Sequence, residues 1–258
     1  MEGRIDSGGS GAVVVPLADH ASDQRHAVRA RLQLIGGFSL RWRDRSVELA
    51  WGTQRLLALL ALRREPARRS YLAGTLWMDS EERRASGNLR SALWRLRSTR
   101  NEIVRATPTH VGLSPGVQID LDDATALADA VMGRTGEVDL RVLDTSVFAS
   151  DVLPDWYDDW VIFERERFRQ LRLHALEALC ERQASIGLHA AAIQNGLTAV
   201  NADPLRESAH RALIKAYLAE RNYVEAKRQY RALADLLMTD LGIEPSEDAS
   251  KLLHVTNR

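Results

Sequence analysis

Between residues 31 and 62 the spacing of apolar side chains changes from two residues to about 3.6, which restricts this stretch to a small sheet leading into a helix. Leu32, Leu34, then Phe38, Leu40, Trp42, then Val47 and Leu49 alternate with polar residues, and Gly36-Gly37 and Asp44-Arg45 supply turns. Three short antiparallel strands are expected. Leu56, Leu57, Leu59, Leu60 and Leu62 then form one side of a helix over residues 53–64, stopped by Pro66. A second helix is expected near Ser70, a suitable N-cap, burying Leu72, Leu76 and Trp77. A third starts at Asp79 or Ser80, where Asp79 and Glu82 resemble a capping box, and runs to about residue 100. Residues 103–105 and 110–113 can pair as a hairpin around Thr107-Pro108-Thr109, and residues 117–121 supply a last strand. Three strands, three helices and a terminal hairpin make a winged helix-turn-helix.

The rest reads as helix with an internal period. An offset of 34 residues matches Leu179 with Leu213, Ala178 with Ala212, Ala192 with Ala226 and Ala199 with Leu233, with Gly187 opposite Arg221. That period belongs to tetratricopeptide-type helix pairs, each of which needs a neighbour to cover its apolar face. Two units are visible; a long helix over residues 155–182 and helices after Asp120 are expected to supply the missing cover. The expected fold is mostly α: an N-terminal winged helix-turn-helix (α+β) followed by an all-α tetratricopeptide-like helical repeat domain. The expected divisions are a flexible tail over 1–28, a DNA-binding domain over 29–121 and a helical domain over 122–258. A chain of 258 residues leaves room for two modest domains, each with its own core.

The formal net charge is zero, but the charges are segregated. Residues 29–105 hold 17 arginines and 7 acidic residues, a net of +10, and residues 106–258 carry a net of −8. A genome rich in G and C also favours arginine, so the segregation is better evidence of a polyanionic partner than the abundance. No apolar run reaches the roughly 18 residues of a membrane span, and residues 12–16 are too short an apolar patch for a secretory signal. A cytoplasmic address and no membrane partner are expected. Cys180 is the lone cysteine, excluding an intramolecular disulfide, and reads as a small buried side chain.

On the third helix, at about 100° per residue, Ala85, Leu89, Ala92, Leu93 and Leu96 fall on the side that must face the core. Arg83, Gly87, Arg90, Ser91, Trp94, Arg97 and Ser98 lie opposite, with Arg84 and Arg95 on a flank. An arginine-lined helix suits the DNA major groove, about 12 Å wide, and Arg90 is the first choice for guanine O6 and N7. Arg97 and Arg105 are better placed for phosphate. In the wing, Thr107, Thr109 and His110 can reach phosphate or the minor groove, or simply form a polar hairpin tip. Gly87 admits two accounts, close approach to the DNA backbone or close packing on a neighbouring helix. Trp94 either covers a thymine methyl or a sugar, or tucks against Arg90 and Arg97.

The run Arg84-Ala-Ser-Gly-Asn-Leu-Arg-Ser-Ala-Leu-Trp-Arg-Leu-Arg97 resembles the recognition helix of the OmpR-type winged helix. The run Leu153-Pro-Asp-Trp-Tyr-Asp-Asp-Trp160, followed by Glu164-Arg-Glu-Arg167 and the leucines of 171–179, resembles the bacterial transcriptional activator domain. Together they are similar to the Streptomyces antibiotic regulatory protein (SARP) family in its short two-domain form, over about residues 31–253. The resemblance implies a transcriptional activator that binds direct repeats near a promoter on double-stranded DNA and recruits RNA polymerase, with homodimer formation through the helical domain. A receiver domain does not fit into 28 residues, and no nucleotide-binding or forkhead-associated module is expected, so phosphorelay and ATP-driven control are not implied.

No Walker A loop or nucleophile elbow is present, so neither an enzyme nor a cofactor is expected. Asp155, Asp158 and Asp159 could suggest a metal site, but they precede a helix after Pro154, where carboxylates favour the positive end of the dipole. No metal is expected, and Trp156, Tyr157 and Trp160 read as core. Two function classes remain: a sequence-specific DNA-binding activator, or a helical-repeat adaptor for a protein or peptide whose basic domain binds nucleic acid loosely.

Overall fold

The computed structural model describes residues 30–99 and 102–254; the expected tail over 1–28 lies outside the described residues. β1 (Ala30–Gln33) alternates buried and exposed positions and pairs antiparallel with β2 (Ser39–Trp42), with Leu32 opposite Leu40. β3 (Arg45–Ser46) completes the meander, but it precedes Val47 and Leu49, the expected third strand, and the turn falls at Arg43-Asp44, one residue before the expected Asp44-Arg45. α1 (Trp51–Arg63) is buried continuously from Leu56 to Leu62, as befits a helix apolar on every side. It ends in a left-handed Arg64 whose N–H donates to the Leu60 carbonyl.

α2 (Arg69–Leu76) and α3 (Glu82–Arg95) form the helix-turn-helix, and β5 (Val104–Ala106) with β6 (His110–Leu113) forms the wing. Both expected caps are absent. At α2 the chain turns helical one residue before Ser70, and the Arg69 N–H donates to the Thr109 carbonyl of the wing at 3.0 Å. At α3 the Ser80 N–H closes a turn on the Trp77 carbonyl, leaving Asp79 outside the helix and Glu81 at the cap without a side-chain bond. α3 also ends earlier than expected: Thr99 donates its hydroxyl to the Leu96 carbonyl and draws residues 97–99 into a tighter 3₁₀ turn. Residue 100, the expected end, is outside the described residues.

A strand of two residues, β4 (Ala67–Arg68), pairs with β6. It is too short to carry a periodic signal. β7 (Val117–Ile119) returns to lie parallel to β1, giving the sheet order β3-β2-β1-β7. α4 (Asp120–Val131) follows at once, so position 121 falls in its first turn. The Asp120 carboxylate accepts the Leu34 and Ile35 N–H groups, each at 2.9 Å, closing the end of β1. Burial outweighs those bonds and raises its pKa above the ordinary carboxylate range.

α5 (Asp159–Ser185), α6 (His189–Ala202), α7 (Glu207–Ala219), α8 (Tyr223–Leu241) and α9 (Glu247–His254) form the helical module. The repeat is visible in its packing: Leu179 and Leu213, Ala192 and Ala226, and Ala199 and Leu233 are all fully buried. Gly187 and its counterpart Arg221 both take positive φ, 80° and 64°, so the turn is kept where the glycine is not. Cys180 is buried as expected, and burial pushes its thiol pKa up to about 12. A Cβ on Gly196 would stand 3.0 Å from Cys180 Sγ and 3.0 Å from Leu213, between α5 and α7. Gly196→Ala is therefore expected to destabilise the chain by about 1–3 kcal/mol through overpacking, read as a lower denaturant midpoint at unchanged slope.

In place of the two separate cores expected from length, one main core spans both modules, with two smaller clusters farther out in the helical repeats. One cluster of buried side chains runs from Leu32 and Leu56 through Leu121 and Phe148 to Trp156, Leu173 and Ala199. The backbone crosses as well, with Ile35 bridged to Val152, and the Leu153 N–H donating to the Leu34 carbonyl at 2.8 Å.

Candidate nucleic-acid interface

α3 is held by Ala85, Leu89, Ala92 and Leu96, all buried, with Leu93 half-buried against the same core. That stripe fixes what faces outward. Arg83, Arg84, Arg90, Ser91, Trp94 and Arg97 are exposed, as are Arg105, Thr107 and Thr109 in the wing, whereas Gly87 and His110 are half-buried. The structure thus brings all eleven candidate residues onto α3, the turn after it and the wing.

The arginines of this module divide by pairing. Arg31, Arg41, Arg43, Arg55 and Arg64 each hold a carboxylate, with Arg43 on Glu102 at 2.6 Å and Arg64 on Asp122 at 2.6 Å. Arg83, Arg84, Arg90, Arg97 and Arg105 have no ion-pair partner among the described residues. Uncompensated guanidinium groups on one exposed helix and its adjoining hairpin are suited to a polyanion.

Several side chains have local roles. Ser91 donates to the Gly87 carbonyl at 3.1 Å. Thr107 accepts the His110 N–H at 2.9 Å and His110 Nδ1 lies 3.0 Å from Thr109 Oγ1, so these groups also shape the hairpin tip. Arg69, absent from the sequence-based set, donates its Nε to the Thr107 carbonyl at 2.8 Å and ties the wing to α2. It also lines a cleft of about 300 Å³ between α3 and the wing with Arg90, Trp94, Arg97 and Ala106. Its position outside the amphipathic third helix hid it.

The structure removes one alternative at each of two positions left open by the sequence. A Cβ on Gly87 would meet only the flexible end of Arg90, at 3.7 Å, so no neighbouring helix packs there. Trp94 does not tuck away: it is 67% exposed, and the cation–π contacts among the described residues are elsewhere, Arg43 over Trp42 and Arg63 over Tyr71.

Behind the helix-turn-helix, Arg55 of α1 donates to the Leu76 carbonyl at the end of α2 and pairs with Asp158, the residue before α5. Asp158 therefore serves an ion pair between modules, and its side chain makes no cap bond. Trp156 is buried between Trp51, 4.4 Å away, and a stacked Phe38 at 5.8 Å. Trp160 is half-buried, and Tyr157, expected in the core, is 82% exposed.

Residues 145–254 match the family model of the bacterial transcriptional activator domain. Over 227 residues the chain is 29% identical to the regulatory protein AfsR of Streptomyces coelicolor, covering 82% of this chain and 22% of AfsR. In its matched domain and this relative, the chain resembles the SARP family. It spans about a fifth of the length of that relative. The fold of this chain also matches a solved structure of Mycobacterium tuberculosis EmbR in complex with a low-affinity phosphopeptide, with a TM-score of 0.70 and 22% identity over 88% of this chain and 64% of EmbR. The match spans both modules, in agreement with the expected winged helix followed by helical repeats. No described helix of this chain is long and apolar enough to cross a membrane.

Proposed function

We propose that this chain is a SARP-type, sequence-specific DNA-binding activator in which α3 reads base edges in the major groove and the wing holds the flanking backbone. The unpaired, exposed arginines of α3 support this reading more than any other observation. Arg90 is assigned to base contact, with Arg83, Arg84 and Ser91 beside it; Arg97, Arg105, Thr107, Thr109 and His110 are assigned to phosphate or minor groove. Residues 29–121 would form the DNA-binding unit and 122–258 the activator unit. Binding of direct repeats, pairing of protomers and recruitment of RNA polymerase are part of the same proposal, carried by family resemblance.

A salt titration with matched and scrambled duplexes tests it, after footprinting on the promoter beside the protein's own gene has supplied the matched site. An activator keeps a preference of about 10³ or more for the matched duplex; equal affinity for both would leave the adaptor reading. Gly87→Ala gives a second check. It is expected to stabilise the chain by up to about 1 kcal/mol, because glycine costs that much inside a helix, and to weaken DNA binding by placing a methyl where the backbone approaches. Thermal melting and a binding titration on one variant read both signs.

A further inference from the structure

We propose that the groove between the helix-turn-helix and the start of α5 is a docking site for a basic, partly apolar segment of a partner protein. It holds about 540 Å³ between the α2–α3 turn and residues 155–160, within the roughly 300–1,000 Å³ of ligand-sized clefts. That accommodates a few side chains of a peptide. Its walls are aromatic: Trp51 is 53% exposed, tilted at 57° to Trp156, and Trp160 meets Trp156 edge-on at 6.3 Å. Tyr157 stands out from the same rim, and exposed Met78 adds an adaptable thioether opposite.

Charge selects the occupant. Asp79, Asp155, Asp158 and Asp159 line the groove against one cation, Arg55. Arg55 is taken by Asp158, while Asp79, Asp155 and Asp159 are exposed and have no ion-pair partner among the described residues. Uncompensated carboxylates beside indole and phenol faces attract a guanidinium or ammonium group, the acids by charge and the rings by their quadrupole. The same acids repel phosphate, so this surface complements a basic protein segment while the arginines of α3 face DNA. The inference goes beyond the DNA-binding reading and does not depend on whether α3 reads bases.

The test uses the full chain at physiological salt and a fluorescein-labelled peptide of repeated Leu-Arg-Ser, with Leu-Gln-Ser as the uncharged counterpart, followed by anisotropy. The arginine peptide is expected to bind at least about 10-fold tighter than the glutamine peptide, and Asp155→Asn with Asp159→Asn, or Tyr157→Ala alone, to weaken it by at least about 5-fold. These side chains are exposed, so melting temperature and DNA affinity are expected to stay unchanged. Glu220→Gln with Asp235→Asn, which removes two exposed acids elsewhere on the helical module, is expected to leave peptide affinity intact. An equal loss in that control pair would reduce the effect to general acidity and overturn the proposal. So would tight binding of the glutamine peptide. Loss of a concentration-dependent dimer in Tyr157→Ala, seen by sedimentation without peptide, would make a second copy of this chain the occupant and likewise overturn it.

Discussion

Trp156→Ala is expected to destabilise the whole chain by about 3–5 kcal/mol, the range for truncating a large buried aromatic side chain. Trp156 is 6% exposed and fills the space between Trp51 and Phe38 of the winged helix and Trp160 of α5. Its carbonyl also accepts a bond from Arg165 at 2.6 Å. Domains of this size are stable by only about 5–15 kcal/mol, so the loss is a large share of the total. Because the core is continuous, both modules are expected to melt together, in one transition shared by far-ultraviolet circular dichroism and hydrogen exchange across β1 and α7. Tyr157→Ala, one residue away but exposed, should stay within about 0.5 kcal/mol of the parent. A winged helix that keeps its own melting temperature in Trp156→Ala would mean that the shared core does not couple the modules.

Arg90→Ala is expected to cost about 1–3 kcal/mol of binding to the matched duplex and to relax discrimination at one base position. Its guanidinium is exposed and has no ion-pair partner among the described residues, so stability should change by less than about 0.5 kcal/mol. Arg105→Ala provides the contrast. A phosphate contact carries no sequence information, and its loss should weaken every duplex alike and flatten the salt dependence. Selection of preferred sites from a randomised pool separates the two variants. A uniform loss on all sequences for Arg90→Ala would remove it from base reading.

Features written in neighbouring residues were legible in the sequence. The alternation at Leu32, Leu40 and Trp42 gave the meander, the stripe from Ala85 to Leu96 oriented α3, and the offset from Leu179 to Leu213 gave the repeat. The cap of α2 was misread because its competing partner, the Thr109 carbonyl, lies far along the chain, and that of α3 because the turn from Trp77 to Ser80 moves the helix start to Glu82. Tyr157 was misplaced for a related reason. Three aromatic residues in five positions look like core, but residues 156–158 precede α5 outside any helix, where no helical period sets which side chains face inward; Trp156 packs on the winged helix and Trp160 packs on Trp156. β4 left no trace because two residues have no period.

By itself the sequence determined the order of the winged-helix elements other than β4, the face that α3 must bury, and the separation of a basic part from an acidic one. Each of these depends on residues within a turn or a strand of one another, where spacing alone decides which side chains share a surface. Only the tertiary structure decided which arginines are free, since Arg43 finds Glu102, Arg55 finds Asp158 and Arg64 finds Asp122 only once the core has brought distant segments together. It likewise decided that the modules share that core, because a continuous interior is a property of how faces meet in space, and no local period records it.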